Sequence, residues 1–186
     1  MEAVRGWCVM RHRKQKELYE FYPTPIEAVR LAKPLMGDIK WWEPCAGDGV
    51  ILNNYENVTV GTDINPRADN ISKADYFDTD LPNDVGGIIT NPPFSLGYDM
   101  VKRALFDLRV PALMLMRVEY MCGKNRIDIR RHLTKMHIIS ELVKFTTSSG
   151  RVVNGNGTGR VAWMLFEPDK TPETVEMKWV LYGDAT

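Results

Sequence analysis

Gly87-Ile88-Ile89-Thr90-Asn91-Pro92-Pro93-Phe94 is a short apolar run that stops at two consecutive prolines and an aromatic ring. The run Gly87 to Thr90 reads as a buried strand, because it lacks any polar break and is bounded by turn residues. The two prolines stiffen the backbone and withdraw its amide donors. What remains is an acceptor-rich turn in which the Asn91 side-chain oxygen and the Pro92 carbonyl can receive a planar amino group. Phe94 offers a face on which a base can stack, an interaction worth ~1–3 kcal/mol per base. Asn91, Pro92, Pro93 and Phe94 are therefore candidates for holding such a group.

Outward from this turn, similar apolar runs recur at Ile39 to Trp42, Val58 to Gly61 and Pro111 to Met116, with helical segments between, notably Leu96 to Leu108 and Asn125 to Leu133. Alternation of buried strands and helices predicts a doubly wound, mostly parallel α/β sheet of the Rossmann-like kind. At the N-terminal side, Thr24-Pro25-Ile26-Glu27 combines a cap, a proline and a capping-box glutamate, which predicts a helix from Pro25. Toward the C-terminus, Ile138 to Phe145 and Arg160 to Phe166 predict an antiparallel strand pair joined by the polar loop Thr146 to Gly159. Glu176 to Tyr182 alternates with period 2 and predicts an edge strand.

Glu43-Pro44-Cys45-Ala46-Gly47-Asp48-Gly49 follows the first strand and ends in a Gly-x-Gly turn, where missing side chains let a ligand approach the backbone. Taken alone, such a turn is equally a structural device. Twenty residues after Glu43, Asp63 ends the next strand, where a carboxylate can accept both hydroxyls of a ribose. The turn lacks the three-glycine fingerprint for a pyrophosphate, so a nucleoside without phosphates suits it better than a dinucleotide. Asp75-Tyr76-Phe77 lies in the next loop, where an acid could receive an adenine amino group beside an aromatic ring; a solvated acid is the plain alternative.

In this order the motifs resemble the amino-directed class of S-adenosylmethionine-dependent methyltransferases, which carry an Asp/Asn/Ser-Pro-Pro-aromatic catalytic motif. Phe21-Tyr22-Pro23-Thr24-Pro25 is similar to the N-terminal motif that such enzymes lay over the cofactor. The resemblance runs from Phe21 to about Met116 and implies a class I methyltransferase fold with S-adenosyl-L-methionine as cofactor. It implies cofactor contacts from Tyr22, Thr24, Glu43, Pro44, Cys45, Ala46, Gly47 and Gly49, from Asp63 and Ile64 at the ribose, from Asp75 and Tyr76 at the adenine, and from Asn91 at the methionine end. It implies transfer of a methyl group to the N6 amino group of adenine, in DNA first. Only Val50 to Glu56 remain for the helix after the glycine turn. No segment is left for the recognition domain of sequence-specific members, and small phage and prophage enzymes look like this.

The 186 residues, 44% of them hydrophobic, are enough for one full core, so residues 1–186 are expected to form a single catalytic domain. The 24 basic and 24 acidic side chains cancel, which argues against tight non-specific attachment to a polyanion and leaves nucleic-acid contact to local groups. Arg151 and Arg160, in and beside the polar loop, are the first candidates for holding an extruded strand; Lys124 and Arg126 come from the basic stretch Lys124 to Lys135. A solvated face is the commoner meaning of such a stretch. Cys8, Cys45 and Cys122 with His12, His132 and His137 show none of the paired spacings that zinc requires, so no metal is expected. The odd cysteine count, with no apolar run long enough to span a bilayer, points to a reducing, cytoplasmic setting. Three other readings stay open: an RNA adenine, the side-chain amide of a protein glutamine, or a non-catalytic cofactor-binding interaction module.

Overall fold

A computed structural model describes residues 22–145 and 158–184 of the chain. Its main sheet contains β1 (Trp41–Glu43), β2 (Val58–Asp63), β3 (Ser72–Lys73), β4 (Gly87–Thr90), β5 (Ala112–Arg117), β6 (Leu133–Ile139), β9 (Val161–Phe166) and β10 (Glu176–Val180). A separate small pair is made by β7 (Val143–Lys144) and β8 (Thr158–Gly159). Among the described residues four α-helices accompany them: α1 (Ile26–Arg30), α2 (Lys33–Met36), α3 (Gly97–Phe106) and α4 (Ile127–Arg130). The order across the main sheet is β10-β6-β9-β5-β4-β1-β2-β3. All neighbours are parallel except β9, which runs antiparallel to both β5 and β6.

The strands that cross the middle are buried on both faces, and period-2 alternation sends their side chains to opposite sides. On one side Trp42, Ile88, Ala112, Met114, Met116, Ala162, Met164 and Phe166 meet α3 through Met100, Val101, Ala104 and Leu105. Those four helical residues recur at the spacing of one face of a helix, which is why Gly97–Phe106 is amphipathic. On the other side Trp41, Ile89, Leu113, Leu115, Val161, Trp163 and Leu165 meet Ala28, Val29, Leu31, Leu35 and Met36 of the α1–α2 segment. The Trp163 indole N–H donates to the Ala28 carbonyl at 2.7 Å, tying β9 to α1. Gly87 is required by packing: a Cβ there would lie 2.7 Å from the Trp41 ring.

Several expectations are corrected. The helix near Thr24 begins at Ile26 with Pro25 as its cap, and Thr24 makes no side-chain cap because its hydroxyl serves another partner. The glycine turn is followed only by a 3-10 turn at Leu52–Asn54, as the short Val50 to Glu56 interval foretells. Asn125 to Leu133 is not one helix: a 3-10 turn at Lys124–Arg126 precedes the one-turn α4, and Leu133 already belongs to β6. β6 therefore starts five residues before Ile138; Thr134 and Lys135 break the apolar run and hide its beginning. The expected C-terminal pair is real as β6 with β9, while residues Val143 and Lys144 leave the main sheet to pair with β8. β10 is the expected edge strand, parallel to β6.

Candidate active site

β1, β2 and β4 lie side by side and end at the same edge of the sheet. From β1 the chain builds outward to β3, then returns to place β4 on the other side of β1, so the order reverses between β1 and β4. In open α/β sheets the crevice outside the strand ends at such a reversal is where ligands bind. An open cleft occupies that position. Its walls include Tyr22, Pro23, Thr24, Glu43, Pro44, Cys45, Ala46, Gly47, Asp63, Ile64, Asp75, Tyr76, Asn91, Pro92, Pro93 and Phe94. The structure thus gathers residues singled out from the sequence across 72 positions, from Tyr22 to Phe94.

Gly49 is the exception among the expected cofactor residues, for it does not line the cleft. It holds the turn instead. Gly47 and Gly49 have φ of 53° and 81°, in the left-handed region, and a Cβ on Gly49 would come within 3.0 Å of Asn53 Nδ2. The Asp63 carboxylate fastens the same turn: the Gly47 N–H donates to Oδ2 at 2.8 Å and the Asn65 N–H donates to Oδ1 at 2.7 Å. Each oxygen keeps a further lone pair, so the carboxylate is held in a fixed pose with two acceptor directions left for hydroxyls.

Glu43 ends β1 and is only 2% exposed; its Oε2 accepts the Leu52 N–H at 2.8 Å. Burial pushes its carboxyl well above the usual range, the Leu52 amide opposes this, and Asp48 and Asp63 add to it. Asp75 accepts the Phe77 N–H at 3.0 Å, and Arg103 of α3 steadies the same loop by donating to the Tyr76 and Thr79 carbonyls. The Tyr76 ring is itself buried against Trp42, with its hydroxyl donating to the Met100 carbonyl, so it forms the cleft's inner wall.

Asn91 begins the turn after β4. Its Nδ2 donates to the Thr24 hydroxyl oxygen at 3.0 Å. That bond spends the amide's donor side on the protein and leaves the carbonyl oxygen as the group available to a ligand. Thr24 is therefore not a helix cap but the residue that sets the Asn91 side chain. Phe94 is half-buried in an aromatic group, stacked at 5.7 Å on Tyr22 and edge-on at 5.9 Å to Phe145. The Arg117 guanidinium lies 4.9 Å from the ring centroid.

Of the expected nucleic-acid residues, Arg151 lies outside the described residues. Arg160 is exposed, and its carbonyl accepts the Val118 N–H, which puts it beside the carboxyl end of β5. Lys124 is exposed, whereas Arg126 is turned inward, 3.4 Å over the Tyr120 ring with Nη1 donating to the Tyr120 carbonyl. Sequence reasoning missed Arg67, Leu96 and Met100 on the cleft wall, and Arg117 on Phe94. Arg117 does carry a signal, as the first charged residue at the end of an apolar strand. Among the described residues no cluster of three or more His, Cys, Asp or Glu side chains could hold a metal, and no helix is long and apolar enough to cross a membrane.

No protein-family model matches the chain, and no curated protein matches it in sequence. Solved structures do. The chain is similar to the 23S rRNA methyltransferase ErmE, with a TM-score of 0.52 and 14% identity over 80% of this chain and 70% of the other. It is similar to a dimethyladenosine transferase from Plasmodium falciparum, with a TM-score of 0.50 and 11% identity over 76% of this chain and 61% of the other, less than two thirds of that protein. A predicted O-methyltransferase, Atu636 from Agrobacterium tumefaciens, aligns at a TM-score of 0.49 and 13% identity over 84% of this chain and 85% of the other. At such identities the likeness is one of architecture, and the chain has the Rossmann-like fold of class I methyltransferases.

Proposed function

We propose that this chain is a methyltransferase that uses S-adenosyl-L-methionine to methylate the N6 amino group of adenine in a nucleic acid, with DNA as the first candidate. The observation that carries the reading is the meeting of Asn91-Pro92-Pro93-Phe94 with the Asp63 carboxylate on one cleft at the sheet's reversal point. The charged lining fits a cationic nucleoside: Glu43, Asp48, Asp63 and Asp75 outnumber Arg67. A buried carboxyl such as Glu43 is also suited to the methionine ammonium, whose positive charge would favour the ionised form that burial disfavours.

In this reading Asp63 takes the ribose hydroxyls through its two remaining acceptor directions, Asp75 takes the cofactor's adenine, and the Gly47 backbone admits the methionine portion. When bound, S-adenosylmethionine supplies an electrophilic methyl group on a positively charged sulfur. The Asn91 oxygen and the Pro92 carbonyl accept the two N–H bonds of the target amino group. Those bonds favour a pyramidal nitrogen whose lone pair points at the methyl carbon, so positioning and electrostatics carry the catalysis. The nitrogen–carbon bond forms as the carbon–sulfur bond breaks, and the extra amino proton leaves to water. No cysteine nucleophile is needed for this transfer; Cys45 is half-buried beside Met100 on the cleft wall.

The names of the two similar structures, an rRNA methyltransferase and a dimethyladenosine transferase, favour RNA adenine as the second reading. Tritiated S-adenosylmethionine offered with duplex DNA, single-stranded DNA, structured RNA and protein, followed by digestion of the labelled acceptor to nucleosides, decides between them. Label in N6-methyldeoxyadenosine supports the reading. Label in protein alone, or none from a chain that binds the cofactor, overturns it.

A further inference from the structure

Beside Phe94, adjoining the main cleft, a second and smaller pocket is lined by Pro92, Phe94, Gly97, Met116, Arg117 and Tyr120, together with Leu115. It shares Pro92 and Phe94 with the main cleft, so a base held at Asn91 and Pro92 borders it. Two flat cations dress its aromatic walls: Arg117 over Phe94 at 4.9 Å, and Arg126 over Tyr120 at 3.4 Å. The two arginines are not equivalent. Arg126 is tied down by a hydrogen bond to the Tyr120 carbonyl, whereas the Arg117 guanidinium makes no side-chain hydrogen bond or ion pair among the described residues and meets the Phe94 ring.

Resting on the adenine reading above, we infer that Arg117 is a base-binding residue: it stands in for the acceptor base on Phe94, gives way when the base enters, and closes over the base's other face. Three features support this. Phe145 is buried in the core and Tyr22 packs against it, whereas Arg117 is a long, partly exposed side chain at the end of β5. A guanidinium is planar and stacks on aromatic and nucleobase faces, where an ammonium acts only as a point charge. Gly97 keeps the floor open, since a Cβ there would meet the Met116 methyl at 3.0 Å and narrow the pocket.

The test is steady-state methyl transfer to an adenine-containing oligonucleotide by the parent, Arg117→Ala, Arg117→Lys and Arg117→Gln, each at several salt concentrations. Cofactor affinity and thermal melting serve as controls. The expected result is a rise of at least about tenfold in the acceptor KM for Arg117→Ala, the order of one lost stacking partner. Arg117→Lys should fail to restore the KM, Arg117→Gln with its planar amide should restore it in part, and the salt slope should stay the same in all three. Full rescue by lysine, or a changed salt slope, would make Arg117 a phosphate contact and overturn the inference. An unchanged KM in a folded Arg117→Ala variant would also overturn it, while leaving the methyltransferase reading intact. A parent that binds cofactor yet methylates no adenine acceptor overturns both.

Discussion

Replacing Asp63 by alanine removes a clamp and a ligand group together, and the two effects can be measured apart. The carboxylate accepts the Gly47 N–H at 2.8 Å and the Asn65 N–H at 2.7 Å. Hydrogen bonds to a charged group contribute about 1.5–3 kcal/mol each when well shielded. Asp63 is partly exposed and water can replace it, so the pair together is expected to contribute about 1.5–3 kcal/mol to folding. For a chain of this length that corresponds to a drop in Tm of about 3–12 °C. The ribose hydroxyls would lose their acceptor as well, which weakens cofactor binding by a further ~1.5–3 kcal/mol, or roughly 10–150-fold in Kd. Asp63→Asn keeps one oxygen but turns an NH2 group toward the other backbone amide, so it should lie midway in Tm. Differential scanning calorimetry reads the first effect and isothermal titration with S-adenosylmethionine the second. A variant that melts early but binds cofactor as tightly as the parent would make Asp63 a structural clamp and refute its role at the ribose. One that melts like the parent would refute the clamp.

Substitutions at four further positions probe the remaining parts. Asn91→Ala should lower kcat by roughly 10²–10³-fold, as loss of a preorganised group at the reacting centre does, with a far smaller effect on cofactor affinity; Thr24→Val should cost roughly fivefold in kcat, about 1 kcal/mol for one neutral hydrogen bond, and Thr24→Ser should recover it. Glu43→Gln tests the buried acid by pH. Because burial raises the folded-state pKa, the unfolded chain ionises first as pH climbs past about 4.5, and the parent loses stability from there until the folded group also ionises. The variant should therefore melt higher than the parent at neutral pH, with the gap closing in acid, and should bind the cationic cofactor more weakly; a parent at least as stable as the variant at neutral pH would contradict the shift. Gly49→Ala should destabilise by about 1–2 kcal/mol at unchanged denaturant m-value, since its φ of 81° disfavours any Cβ.

Much of the site was legible because its parts sit where strands end, and strand ends are marked by local chemistry. Pro92 and Pro93 terminate β4, Gly47 and Gly49 bend the chain after β1, and Asp63 follows an apolar run, so each could be placed from its neighbours alone. The parts that stayed hidden depend on contacts between distant segments. Thr24 reads as a cap from its own surroundings, and only the approach of Asn91, 67 residues away, gives it another use. Arg126 reads as a surface cation until Tyr120 offers it a ring and a carbonyl. The start of β6 is masked by Thr134 and Lys135: the polar side chains say nothing of the ladder in which Lys135 pairs with Leu165 of β9 and Thr134 sits at a register shift.

The antiparallel β9 also dictates the order in which this molecule can be assembled. It is buried along its whole length between β5 and β6, yet it is among the last strands to leave the ribosome. β1 to β5 can pair as they emerge, but one edge of β5 stays open until residue 166 is made. The indole of Trp163 then reaches Ala28, 135 residues earlier in the chain, so the first helix gains its final anchor only at that point. Closing so long a loop is entropically costly and slow. A nascent chain stalled before β9 would expose the apolar flanks of Leu113 and Leu115 on an unpaired edge, the kind of surface that chaperones hold and that aggregates recruit.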